Sequence, residues 1–228
     1  MDSRHQAHTR APGPALVRLL ARLAGVDAPP PTQALSARLS HWVDWPQAVA
    51  LSSALDAHAG PASPDGPDAA CASDECDQVR AAIIRMLERD RAFAAGSAEP
   101  GAAFYRQRYA ALQQMMGAEV DLLRRRLRQR LVQRGAALAR LAAVDAVLEK
   151  AMGARERALL SALADHVAAH FERLRPASET DPPAAARTWL AAFRRDMKCL
   201  LVAELDVRLQ PARGLFEALG STPDAHAQ

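Results

Sequence analysis

The sequence has no proline over a long internal stretch, and it has few aromatic residues. None of its 15 prolines falls between Gly101 and Arg175, and Phe, Trp and Tyr together make up 4% of its 228 residues. Proline disrupts helix interiors, whereas aromatic and β-branched residues are typical of strands. Half of the residues are hydrophobic, and most of these are Ala, Leu and Val. The composition therefore predicts an all-α protein rather than a disordered chain or a sheet protein.

Long apolar runs and a disulfide framework are also missing. No run approaches the roughly 18 apolar residues that a membrane-spanning helix needs, and the first residues lack the apolar segment of a signal peptide. The three cysteines, Cys71, Cys76 and Cys199, are an odd number in a chain of this size, which is typical of a reducing compartment. We therefore expect a cytoplasmic protein without membrane insertion.

The sequence contains none of the common catalytic motifs: no Walker loop, dinucleotide fingerprint, nucleophile elbow or zinc-protease helix. His166 and His170 are one helical turn apart, but no third metal ligand is evident. Cys71 and Cys76 likewise have no matching second pair. We therefore predict a non-enzymatic protein with no catalytic residue, no cofactor and no metal.

Segments rich in proline and glycine divide the chain into parts. The polar lead 1–13 is predicted to be disordered, and residues 220–228 form the predicted tail. Residues 14–57 carry short amphipathic segments and form the predicted N-terminal helical module. Residues 58–77 form the predicted flexible acidic linker, and residues 78–219 form the predicted helical bundle.

The proline-free span predicts a long antiparallel hairpin over residues 102–174. Gly135 directly follows a basic segment, as expected for the end of a helix whose dipole the basic side chains complement. We place the turn there, with a break at Gly153 left open. Apolar residues spaced by three and four form a seam on the first arm, and Asp145 occupies one slot of the heptad on the second. Gly117, Gly135 and Gly153 recur at intervals of 18 residues, a period that we attribute to chance.

The strongest charge feature is a run of arginines that precedes the predicted turn. Its members are Arg124, Arg125, Arg126, Arg128, Arg130 and Arg134. No acidic residue lies between Asp121 and Asp145 to neutralise it. A helical projection spreads these side chains round the axis, whereas a helix that reads a nucleic-acid groove keeps them on one side. The projection therefore favours a solvated, dipole-complementing surface or an acidic protein partner over nucleic acid.

Two tryptophans stand close together in the segment HWVDWPQ. Trp42 and Trp45 are large side chains in a short module with little else to cover them. We interpret them as the packing centre of that module, with a docking surface for another chain as the alternative.

Four segments of the sequence resemble one protein family. They read ALVRLLARL, HWVDWPQAVALSSAL, ARLAAVDAVLEKAMGARERALL and DMKCLLVAELDVRLQP, and they cover most of the chain apart from its ends and linker. The family is an uncharacterised proteobacterial domain-of-unknown-function family of small all-helical cytoplasmic proteins. The resemblance transfers no catalytic or binding residue. The resemblance implies a gene neighbourhood with an OmpA-like envelope protein and a large membrane protein, and hence a cytoplasmic partner of an envelope assembly.

Together, these observations predict an all-α protein in which a small N-terminal helical module precedes a bundle built on a long antiparallel hairpin. The predicted function is that of a non-enzymatic adaptor or assembly factor, which binds another protein through the arginine run and the tryptophan pair. The alternative is a nucleic-acid-binding protein that uses the arginine-rich helix end. The sequence does not identify the partner and leaves homo-oligomerisation open.

Overall fold

The described residues are helical throughout, apart from short turns and the ends of segments. The computed structural model describes residues 15–25, 44–56, 75–94, 100–175 and 183–220. The helices are α1 (Ala15–Ala24), α2 (Trp45–Asp56), α3 (Glu75–Glu88), α4 (Ala102–Gln133), α5 (Ala136–Ser161), α6 (Leu163–Leu174) and α7 (Pro183–Gly220). A 3-10 turn, Arg91–Phe93, lies between α3 and α4. These ranges contain no strand, which confirms the predicted all-α class.

Several predicted segments fall outside the described residues. They are the lead 1–13, most of the linker 58–77, and the tail beyond Gly220. The disorder of the lead and the flexibility of the linker therefore stay predictions. The bundle itself begins slightly earlier than expected, because α3 starts at Glu75.

Helices α4 and α5 form the antiparallel hairpin, and the turn between them lies at Gly135. Its φ of 128° belongs to the region that favours glycine over residues with a side chain. Pairs of residues on opposite sides of the turn fix the antiparallel direction: Arg124 binds Asp145, and Gln113, farther along, binds the backbone of Leu160. With 32 residues, α4 is about 48 Å long.

The sequence predicted one continuous helix to Leu174 for the second arm, and this prediction is wrong. The helix is interrupted at Ala162, where α5 ends and α6 begins. Near this interruption, side chains donate hydrogen bonds to two backbone carbonyls. Gln113 Nε2 donates to the carbonyl of Leu160 at 2.7 Å, and Ser161 Oγ donates to the carbonyl of Ala158 at 2.8 Å. These hydrogen bonds satisfy acceptors that an unbroken helix would pair internally.

The hydrophobic core lies between α4 and the helices packed against it, above all α7. The predicted seam of α4, formed by Val120, Leu123, Leu127 and Leu131, is buried. Helix α7 has 38 residues and continues through Pro211 to the end of the described chain. Proline commonly ends or kinks a helix, so the length of α7 is set by burial against the hairpin rather than by local propensity.

The two N-terminal helices lie against different parts of the bundle. Helix α1 packs on α6 and α7, and its Leu16 belongs to the common hydrophobic core. Helix α2 packs on α5 and has no buried residue. The described parts of the predicted module 14–57 therefore use the bundle as their packing surface, because helices of ten and twelve residues are too short to be stable on their own.

Candidate functional site

Two arginines of the predicted run are buried in ion pairs within the hairpin. Arg124 donates from Nε and Nη2 to the Asp145 carboxylate at 2.8 and 2.6 Å, and Arg128 Nη2 donates to Glu149 Oε2 at 2.6 Å. Arg128 also lies 3.6 Å from Asp145. Only 11–13% of the side chains of Arg124, Arg128 and Asp145 is exposed. For Arg124 and Arg128, the acidic partner is therefore the facing arm of the same chain and not another protein.

The protonation of Arg124 follows from this geometry. Burial alone lowers the pKa of its guanidinium group, but the hydrogen bond and charge of Asp145, with the charge of Glu149, raise it above its ordinary value. The arginine therefore stays charged inside the hairpin. A planar guanidinium group paired through two nitrogens also fixes the register of the two arms.

Two further members of the run bind other helices. Arg130 forms an ion pair with Glu75 at the start of α3. Arg134 Nη2 donates to the backbone carbonyl of Leu219 at 3.0 Å, in the last turn of α7. Arg134 thus complements the negative end of the α7 dipole rather than only that of its own helix.

Arg125 and Arg126 are the two exposed members of the run. Arg126 and Arg85 line a shallow groove between α3 and α4, which we call the α3–α4 groove; Val79, Ala81 and Ala82 also line it. None of the three arginines named here forms a hydrogen bond or ion pair within the described part of the chain. The unneutralised positive charge of the run is therefore concentrated on Arg125 and Arg126, and Arg85 of α3 adds to it.

Trp45 stands at the first position of α2 with 81% of its surface exposed. A capping box precedes it: Asp44 Oδ1 accepts from the backbone N–H of Gln47 at 2.9 Å, and Gln47 Oε1 accepts from the N–H of Asp44 at 3.1 Å. Val49, one turn later, is 47% exposed. Trp42 lies outside the described residues.

A buried polar network between α4 and α7 was missed by sequence reasoning. Glu204 is fully buried and accepts from Tyr109 Oη and Gln113 Nε2, both at 2.9 Å. Arg208 completes the network, with Nε and Nη2 at 2.8 and 2.7 Å from Glu204 Oε1. Burial, followed by the charge of Glu204, raises the pKa of the Tyr109 hydroxyl, which keeps it protonated as a donor. The available signal was the spacing of Glu204 and Arg208, four residues apart on an otherwise apolar helix face.

A polar cleft of about 450 Å³ adjoins this network, lined by residues of α4, α5 and α7. Gly117 and Gly153 both line it, and each is 18 residues from Gly135 in the sequence. A Cβ atom on Gly117 would lie 3.5 Å from Arg208 Nη1, and one on Gly153 would lie 3.3 Å from Arg157 Nη1. The hairpin thus brings both glycines to one cleft. Gly153 lies inside α5 and does not break the arm.

The charge lining this cleft is mixed. Its arginines are Arg124, Arg157 and Arg208, and its acids are Asp121, Glu149 and Glu156. Arg124 and Arg208 are already engaged by carboxylates. The cleft therefore favours no single charge class of ligand.

The model of a family of proteins of unknown function, DUF3348, matches residues 2–221. The chain belongs to the DUF3348 family. No curated protein and no solved structure matches it. The predicted membership of a domain-of-unknown-function family is thereby confirmed.

The described helices of this DUF3348 protein include none that is long and apolar enough to cross a membrane. Its histidine pair is divided by the fold: His170 is buried, with Nε2 3.0 Å from Asp196 Oδ2, whereas His166 is exposed. In the described ranges, no three His, Cys, Asp or Glu side chains come together in a way that could hold a metal ion. Burial of His170 is explained by its bond to Asp196 and its contact with Phe193.

Proposed function

We propose that this protein is a non-enzymatic helical adaptor or assembly factor that binds an acidic segment of another protein in the α3–α4 groove. The observation that carries the proposal is the unpaired state of Arg85 and Arg126, which line a groove with Val79, Ala81 and Ala82. Apolar contact in such a groove supplies affinity, and the two guanidinium groups select acidic partners.

The groove is held in place before any partner binds. The ion pair of Arg130 with Glu75 joins α4 to the first turn of α3, and Ile83 and Leu87 of α3 are buried in the core. A preformed groove avoids the entropic cost of ordering on binding. Asp77 also lines the groove and is largely exposed, so the acidic residues of a bound segment must lie toward Arg85 and Arg126.

Helix α4 also carries exposed side chains that do not line the groove. Leu122 is 44% exposed and Val132 is 57% exposed, and Arg125 lies between them. On α2, Trp45 is a further exposed apolar side chain. The family resemblance adds a proposed setting, a cytoplasmic protein of proteobacteria beside an envelope assembly. A nucleic-acid role has less support, because Arg124 and Arg128 are engaged by carboxylates and cannot neutralise phosphates.

The test is affinity purification from the native cell with three forms of the full chain. These are the wild type, the charge-reversed R85E/R126E variant, and a control, R175E/R195E, with the same charge change at exposed sites outside the groove. We expect a partner that the wild type and the control retain and that R85E/R126E loses. An acidic peptide from that partner should bind the purified wild type, and replacing its acidic residues with Lys should restore binding to R85E/R126E.

Equal retention of every partner by R85E/R126E and the control would contradict the proposal. A salt titration with duplex DNA and with RNA addresses the alternative. Binding of either that R85E/R126E abolishes and salt weakens steeply would assign the groove to nucleic acid instead.

A further inference from the structure

A small apolar pocket lies between α1, α6 and α7, away from the α3–α4 groove. Its volume is about 230 Å³. Its apolar walls include Leu20, Ala21, Val167, Phe193, Met197 and Leu200. Leu16, Phe193, Met197 and Leu200 are buried in the core beside it, whereas Ala21 and Ala24 of α1 are too small to fill the space between α1 and the bundle. The pocket therefore lies where α1 presents alanine side chains to the bundle.

The polar groups that line this pocket are all basic. They come from one face of α6, at positions spaced by four and three: His166, His170 and Arg173. None of the described residues that line the pocket is acidic. His170 is paired with the carboxylate of Asp196, whose Oδ2 lies 3.0 Å from His170 Nε2. The other oxygen of Asp196 lies 3.9 Å from Arg22 Nη2.

The two outer groups are available to a ligand. His166 and Arg173 are exposed to solvent and therefore lie at the opening, whereas His170 is buried. Arg173 has one weak bond, from Nε to the Ala169 carbonyl at 3.4 Å, and its terminal nitrogens have no partner in the described part of the chain. An apolar interior with a basic opening is complementary to a molecule that has an alkyl tail and one anionic head.

We propose that this pocket binds a medium-chain carboxylate, with the alkyl tail among Val167, Phe193 and Leu200 and the carboxylate at Arg173 and His166. The volume sets the tail length. An apolar cavity of about 150 Å³ accepts the six carbons of benzene, so about 230 Å³ accepts roughly nine carbons in the same proportion. Decanoate, with nine carbons beyond its carboxyl group, is the matching probe.

The experiment measures binding of decanoate to the full chain by titration calorimetry, below the concentration at which decanoate forms micelles. Decanol and decyltrimethylammonium serve as probes with an alkyl chain of nearly the same length and a neutral or cationic head. We expect decanoate to bind most tightly and decyltrimethylammonium most weakly. Arg173→Ala should weaken decanoate about tenfold or more and leave decanol unchanged, because only the charged head loses a charge-assisted hydrogen bond. Arg175→Ala removes an exposed arginine two residues away, outside the pocket, and should behave like the wild type.

A second variant tests the tail site. Ala21→Phe should fill the pocket and abolish binding of decanoate and decanol together, whereas Ala111→Phe, on an exposed position of α4, should not. Decanoate should also raise the melting temperature of the wild type and of Ala111→Phe, but not that of Ala21→Phe. If Ala21→Phe fails to fold, the comparison of Arg173 with Arg175 still decides.

Three results would overturn the proposal. The first is no binding of decanoate to the wild type at about 1 mM, a threshold that corresponds to negligible affinity. The second is equal binding of the three probes, or equal effects of the Arg173 and Arg175 variants. The third is a dimer that Ala21→Phe abolishes in a protein that does not bind decanoate, which would assign the pocket to the apolar side chains of a second copy.

Discussion

Replacing Glu204 with Leu is expected to remove a large part of the stability of the protein. The change leaves the guanidinium group of Arg208, whose side chain is 12% exposed, without its carboxylate. It also leaves the Tyr109 hydroxyl without an acceptor, whereas Gln113 keeps its bond to the Leu160 carbonyl. Breaking a buried ion pair from one side costs about 3–5 kcal/mol. For a chain of this size, that loss lowers the melting temperature by roughly 6–20 °C.

Urea denaturation followed by circular dichroism at the helix band measures this loss. The double variant E204L/R208L should recover much of it, because apolar residues can replace a buried ion pair at little cost. Glu172→Leu, at an exposed position of α6, is the matched control and should change stability by no more than about 0.5 kcal/mol.

The predicted loss of stability would be refuted if Glu204→Leu cost less than about 1 kcal/mol, since a loss of that size is typical of an ordinary substitution. It would also be refuted if the double variant were less stable than Glu204→Leu alone. Should Glu204→Leu not fold, Glu204→Gln, which keeps an acceptor for Tyr109, gives an intermediate loss that can be measured in the same way.

Two further predictions concern the turn and the acid limit of the fold. Gly135→Ala should destabilise the protein by about 1–3 kcal/mol in thermal melts, because its φ of 128° strains any residue with a Cβ. Gly153→Ala should be neutral or stabilising, because alanine favours the helix and the Cβ meets only the flexible end of Arg157; equal losses for the two glycines would contradict the assigned turn. Burial raises the pKa of Asp90, but its hydrogen bonds from Arg108 and a backbone N–H outweigh this and lower it below the ordinary value of 3.8. Asp90 therefore stabilises the fold above pH 3.8, and this contribution is lost as the pH falls through its lower folded-state pKa. Asp90→Asn should be less stable than the wild type at pH 7 and equally stable in strong acid. Urea denaturation across the pH range measures this difference.

Local patterns in the sequence predicted the elements that depend on neighbouring residues. The seam of Val120, Leu123, Leu127 and Leu131 is buried because apolar side chains at helical spacing share one face. The turn at Gly135 follows from glycine after a basic helix end. Neither feature required knowledge of what the hairpin packs against.

The remaining features depend on register, which local patterns do not contain. Asp145 was recognised as a polar residue in an apolar heptad, yet its pairing with Arg124 and Arg128 exists only once the two arms are aligned. No glycine or proline marks the interruption at Ala162. The hydrogen bonds that accompany it come instead from Gln113 of the other arm to the Leu160 carbonyl and from Ser161 to the Ala158 carbonyl. The pairing of Arg130 with Glu75 is equally hidden from local patterns, because the two residues are 55 positions apart in the sequence.

The division of the arginine run into buried and exposed members gives salt two separate effects on this molecule. Exposed charges more than a Debye length apart, about 8 Å at physiological ionic strength, are largely screened, whereas buried pairs are screened much less. The pairs of Arg124 and Arg128 should therefore persist in concentrated salt, while the attraction exerted by Arg85 and Arg126 fades. A salt wash can thus release an electrostatically held partner and leave a folded protein behind, ready to bind it again when the salt is removed.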